Sequence, residues 1–204
     1  MESNNRLLYA PSPHAAERNR AARRVWWLGL FLIVSGALQF AAVAAYYVSV
    51  VRAPYTADAL DGILARVAPW VLRGVLTSLL IGVAGAGMVA AAPIIRCGKR
   101  WAYAAAFAVA VTTMVRAARY LPSFFPLMSH LIFDPEGLMQ NWDFYWMWTV
   151  FGSIWSYVSV FFDSLALFPA MLAGRAVSRL YRTERRAERH AKASAARRNR
   201  ERIL

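Results

Sequence analysis

Few side chains in this sequence pair chemical potential with an apolar setting. Asp163 is the single charged residue between Phe144 and Ala173, and Gln39 is the bulkiest polar residue in the uncharged run from Val25 to Val51. Thr112 and Thr113 sit inside a third apolar run, Trp101 to Leu121, which also carries Arg116 and Arg119. If each run is an α-helix rising about 1.5 Å per residue, Asp163 lies roughly 18 Å from the basic flank at Arg175. Gln39 then lies roughly 22 Å from Arg24, and the two threonines roughly 18–20 Å from Arg100. Three helices thus bring Asp163, Gln39, Thr112 and Thr113 to one layer. An acid near the centre of a membrane helix costs about 2.5–3.5 kcal/mol on insertion scales, so it must face inward and accept hydrogen bonds from Gln39 or a threonine. Such a group can be a proton or cation site, or a polar cluster that fixes helix register.

The arginines form a second constellation. Thr112, Arg116 and Arg119 follow an i, i+4, i+7 spacing and share one helix face. With Arg73 they could line an outer vestibule for an anion or acidic substrate. They could equally reach outward to headgroups or pair with Asp134, Glu136 or Asp143. Other chemistries lack their parts. His14, His130 and His190 are scattered, no HExxH or CxxC motif occurs, and Cys97 is the only cysteine, so neither a zinc site nor a haem held by two helix histidines is expected. A lone intramembrane acid cannot form an aspartyl-protease pair. Gly82, Gly85 and Gly87 lie inside an apolar run with no following Lys-Ser/Thr, so they do not make a phosphate loop. The sequence therefore reads as non-catalytic and free of cofactor or metal.

The elements that must position these residues follow from composition. Hydrophobic residues make up 59% of the 204 and charged residues 17%, against about 45–50% and about 25% in soluble domains. A net charge of +13 must then sit at the ends of a chain whose middle avoids water. A helix needs about 20 apolar residues to cross a bilayer, and four stretches qualify, at about 25–51, 69–95, 101–121 and 144–173. The expected fold is an all-α, four-span transmembrane helical bundle with short interfacial helices in the outer loops. Residues 1–24 form a basic cytoplasmic arm, 25–174 the transmembrane domain and 175–204 a polybasic cytoplasmic tail.

Charge placement sets the orientation. Nineteen of the 24 Lys and Arg lie in the arm, the Arg96–Arg100 link and the tail, with five acids beside them; the opposite side carries five of each. Basic residues favour the cytoplasmic side, so both termini are expected there. Trp26, Trp27 and Trp101 fall at the inner interface, and Trp70, Trp142, Trp146 and Trp148 at the outer one, as interfacial belts require. High Ala and Arg usage favours a bacterial inner membrane. In the outer loops, Leu60, Ile63, Leu64 and Val67 have the spacing of a short surface helix, and Tyr120–Phe133, broken by Pro122 and Pro126, reads as an interfacial or re-entrant piece. Its aromatics, Phe124, Phe125 and Phe133, suit either a docking surface or a cap on the bundle.

Close helix packing in lipid relies on small residues. Gly74, Ser78, Gly82, Ala86 and Ala90 recur every four residues in the second span, and Ala37, Ala41, Ala45 and Ser49 in the first. Gly152, Ser156, Ser159, Asp163, Ala166 and Ala170 form a stripe in the fourth, with Phe161, Leu165 and Phe168 turned to lipid. Beyond residue 182 the tail has almost nothing to bury, so it should be solvated, as helix or coil, and attract anionic lipid. It contains no interleaved aromatics for base stacking, so nucleic acid is a poorly supported partner. By elimination, the expected role is that of an accessory, assembly or scaffold subunit of a larger membrane complex, with other membrane subunits as partners. One alternative is a small channel or proton- or ion-coupled transporter centred on Asp163. Another is a membrane tether whose tail binds anionic lipid, an acidic protein or RNA.

Overall fold

The computed structural model describes residues 13–52, 56–133 and 158–201, and among these it is helical nearly throughout, with no strand. The long elements are α1 (Pro13–Arg52), α2 (Ala57–Arg96), α3 (Arg100–Phe133) and α4 (Leu167–Glu201). Residues 158–165 are helical as well and lead into α4 through a turn at Ala166. The backbone ladder persists across that turn: Ala166 N–H donates to Phe162 C=O and Ala170 N–H to Ala166 C=O. Pro169 has no N–H to give Leu165, which supplies a local reason for the irregularity. Among the described residues four stretches are long and apolar enough to cross a membrane: Ala15–Arg52, Leu60–Arg96, Arg100–Phe125 and Val158–Ala196.

Two outer segments differ from the sequence expectation. The Leu60–Val67 stripe is not a separate interfacial helix, because α2 runs through it and through Pro69 without interruption. Nor does the chain turn back at Tyr120–Phe133, where α3 continues through Pro122 and Pro126. Each proline removes one i→i−4 bond, and neighbouring helix turns can carry that loss. At 40 residues each, α1 and α2 are about 60 Å long, twice the thickness of a hydrocarbon layer. The arm expected at 1–24 is accordingly helical from Pro13, with Ala21 and Ala22 buried. The tail is helical to Glu201, exposed from Arg185 through Ala196. The first half of the fourth expected span, the acids Asp134, Glu136 and Asp143, and Gly152, Ser156, Trp142, Trp146 and Trp148 lie outside the described residues.

Successive helices run antiparallel. The link from α2 to α3 is short because Gly98 adopts φ +77°, where a side chain would be strained. Its N–H donates to Ile95 C=O and that of Lys99 to Ile94 C=O, which closes the end of α2 as a Schellman cap. The core lies at this end of the bundle, where Val25 and Leu28 of α1, Met88 and Ile95 of α2, Tyr103 of α3 and Leu180 of α4 are buried together.

The α1–α2 seam is a contact of backbones. A Cβ on Gly36 would stand 2.7 Å from Ser78 O and 2.9 Å from Gly82 N, and one on Gly85 would stand 2.7 Å from Gly29 O. Gly74 is buried, Ser78 faces this seam and Gly82 borders it, but Ala86 and Ala90 are exposed, as are Ala37, Ala41 and Ala45 of α1. The reason is geometric: a step of four residues drifts around a helix of 3.6 residues per turn. The buried line therefore shifts from Gly82 to Gly85 and Met88. Trp26, Trp27, Trp70 and Trp101 turn outward, as do Leu165 and Phe168. Phe161 does not: it stacks on Phe124 of α3 at 6.1 Å and meets Phe162, which in turn contacts Phe31 of α1 at 6.2 Å.

Candidate functional site

Asp163 is the centre of the polar layer. It is buried, at 5% exposure, one turn before the irregularity at Ala166. Arg116 reaches it from α3 with two hydrogen bonds to Oδ2, from Nε at 2.9 Å and from Nη2 at 2.8 Å. From α1, Gln39 Nε2 donates to Oδ1 at 3.1 Å and also to Ser35 Oγ at 3.2 Å. One carboxylate thus ties three helices together, with both oxygens accepting bonds. A charge-assisted pair of this kind is short and directional. Arg116 remains partly accessible, at 29%, and its guanidinium lies 5.9 Å from the centre of the Tyr120 ring, within range of a cation–π contact.

The threonines separate. Thr113 is buried at the edge of the cluster but its hydroxyl donates to Val109 C=O in its own helix at 2.8 Å. Thr112 is exposed on the adjacent face, where it lines an open cleft between α2 and α3. Ser159 and Ser164, on either side of Asp163, are buried with no partner for their hydroxyls among the described residues.

The cleft opens between α2 and α3 away from the short turn that joins them. Its upper part, about 650 Å³, is lined by Trp70, Arg73, Thr77, Thr112, Arg116 and Arg119 among others. Its lower part, about 380 Å³, is walled by Leu32, Leu80, Ile81, Ala84, Ala108 and Val109, with Thr112, Arg116 and Asp163 at its edge. The two parts share Thr112 and Arg116. Arg73, Arg116 and Arg119 therefore come together on one cavity as their spacing suggested, but Arg116 is committed to Asp163. Among the described residues, no carboxylate pairs with Arg73 or Arg119.

A second polar tie has no counterpart in the sequence reading. Glu184 of α4 accepts hydrogen bonds from Arg18 Nε of α1 at 2.7 Å and from the Tyr103 hydroxyl of α3 at 3.1 Å. Arg100 pairs with Glu188 and Thr183 donates to Glu17 at 3.1 Å, extending the same belt. Glu184 and Asp163 are twenty-one residues apart on one helix, and Arg18 and Gln39 are twenty-one apart on the other. Two ties at equal spacing fix the antiparallel register of α1 against α4. The acids Glu184 and Glu188 in a strongly basic tail were the available signal, since Glu184 has no basic residue three or four positions away on its own helix to pair with. Glu184→Gln is expected to weaken both bonds at a cost of about 1–2 kcal/mol. It should raise amide hydrogen exchange in residues 176–190 and leave the Asp163 layer protected.

Cys97 is exposed and free, and no three His, Cys, Asp or Glu side chains among the described residues gather as metal ligands. No protein-family model, curated protein or solved structure matches this chain.

Proposed function

We propose that this chain is a multi-pass membrane protein with both termini on the cytoplasmic side, serving without catalysis as an accessory or assembly subunit of a larger membrane complex. The observation that carries this reading is the closed bonding of Asp163. A carboxylate held on one oxygen by Arg116 and on the other by Gln39 acts as a register lock, in which both charges are neutralised by each other. Support also comes from the helix lengths. α4 projects an exposed charged helix well past the last apolar turn, which offers a platform to an acidic partner or an anionic membrane surface. The apolar faces of α1 and α2, with Leu38, Phe40, Leu76 and Leu79 outward, suit lipid or a neighbouring subunit.

The test is photo-cross-linking in native membranes from probes at Leu79 and at Ala187. A discrete adduct of constant mass at one or both sites, together with co-migration in mild detergent, is the expected result. A chain that runs alone and forms no adduct overturns the subunit reading. The position of Asp163 at the edge of the lower cavity favours one second reading, a small ion-coupled transporter. Solute or ion flux into proteoliposomes, abolished by Asp163→Asn, would establish that reading in place of the first.

A further inference from the structure

The cleft between α2 and α3 has two chemistries in sequence along one surface. At the Arg73 end it gathers three guanidinium groups, the Thr77 and Thr112 hydroxyls, and the Trp70 and Tyr120 rings. Among the described residues Asp163 neutralises only Arg116 and no carboxylate meets Arg73 or Arg119, so their charges give this lining a local surplus of positive charge. Beyond Thr112 the lining turns mostly to Leu, Ile, Val and Ala, with Thr113, Arg116 and Asp163 at its edge. The adjoining cavities therefore match a ligand with an anionic head and an apolar chain. Guanidinium groups bind phosphate and carboxylate oxygens by paired N–H bonds, and the anionic lipids of a bilayer carry their charge on a phosphate-bearing head. A free inorganic anion would use only the upper part and leave the apolar part unfilled. A neutral lipid would give the Arg73 and Arg119 guanidinium groups no net counter-charge of its own.

We propose that the α2–α3 cleft is a binding site for one anionic phospholipid, with its phosphate held between Arg73 and Arg119 and an acyl chain lying in the apolar cavity beyond Thr112. The site is separate from the basic tail, whose arginines lie at the opposite end of the helices. It also goes beyond the subunit reading, since a subunit of a complex needs no such lipid.

The proposal is tested on the full chain, purified, delipidated and washed at high ionic strength to screen lipid held only by the tail. Native mass spectrometry and thermal stabilisation are then recorded with phosphatidylglycerol, with phosphatidylcholine of the same acyl chains, and with inorganic phosphate. The expected result is one retained phosphatidylglycerol with marked stabilisation, little retention of phosphatidylcholine, and no stabilisation by phosphate at matched concentration. Arg73→Gln with Arg119→Gln should weaken retention by about tenfold or more, since charged hydrogen bonds are lost. Ala108→Trp, which fills the apolar part and changes no charge, should weaken it similarly. Equal retention of the two lipids, stabilisation by phosphate alone, or loss in only one of the two variants would overturn the assignment. The lipid and phosphate comparison uses the unaltered chain, so it stands if a variant fails to fold.

Discussion

Replacing Arg116 by Leu is expected to destabilise the bundle by about 3 kcal/mol or more, because it leaves the buried Asp163 carboxylate with Gln39 as its single partner. Asp163→Leu should cost less, about 1–2 kcal/mol, although it removes the other half of the same pair. The asymmetry follows from accessibility: Asp163 is 5% exposed whereas Arg116 retains 29% and borders the cleft, so a freed guanidinium can turn toward water or headgroups. The double variant should recover most of the loss seen with Arg116→Leu, since no uncompensated charge then remains. A double-mutant cycle on unfolding in detergent mixtures measures this directly, with an expected coupling of about 3 kcal/mol. Strict additivity of the two losses would show that the pair is not the register lock described above.

The second large effect is steric. Gly36→Leu and Gly85→Leu should each cost about 3 kcal/mol, the upper end for overpacking, because the new Cβ meets main-chain atoms at 2.7 Å in both cases. Flexible side chains could move aside, but here a whole helix has to move. Gly82→Ala is the matched control. Nothing lies within 4 Å of its Cβ position, so the better helix propensity of Ala should leave stability unchanged or raise it by about 1 kcal/mol. Thermal unfolding of the three variants distinguishes a backbone seam from a general requirement for small residues. If Gly82→Ala is as damaging as Gly36→Leu, the helices approach along a different line.

The residues that the sequence marked by periodicity and those that the structure places on the seam overlap only in part. Gly74, Ser78 and Gly82 mark the correct face of α2, because one or two steps of four stay near a given line on a helix. Further steps leave it, so Ala86 is exposed and Gly85 takes the close contact. The same drift leaves Ala37, Ala41 and Ala45 of α1 outside, while Gly29 and Gly36, seven residues apart, carry the approach. A seven-residue step keeps nearer one face than two steps of four. The polar layer was legible in part. Asp163 and Gln39 were marked by being polar where water is scarce, and their hydrogen bond follows from that need. The role of Arg116 was not legible, since spacing on one helix cannot tell whether a long side chain points to a cleft or back to an acid on another. The belt around Glu184 was hidden for a related reason: all its members except Tyr103 lie in segments whose charges look solvated.

Sequence alone determined the helical class, the presence of four long apolar stretches and the concentration of basic charge around the Arg96–Arg100 turn and the chain ends. Those features depend on local composition and on the fixed rise of a helix, which the residues carry with them. Tertiary structure decided that α2 and α3 extend through their prolines, that α1 and α2 meet glycine to backbone, and that Asp163 is shared by Arg116 and Gln39. It also decided that α2 and α3 part into a cleft with arginines at one end and an apolar wall at the other. Each of these depends on the rotation and separation of one helix relative to another, a quantity set by packing across the bundle and written in no single segment.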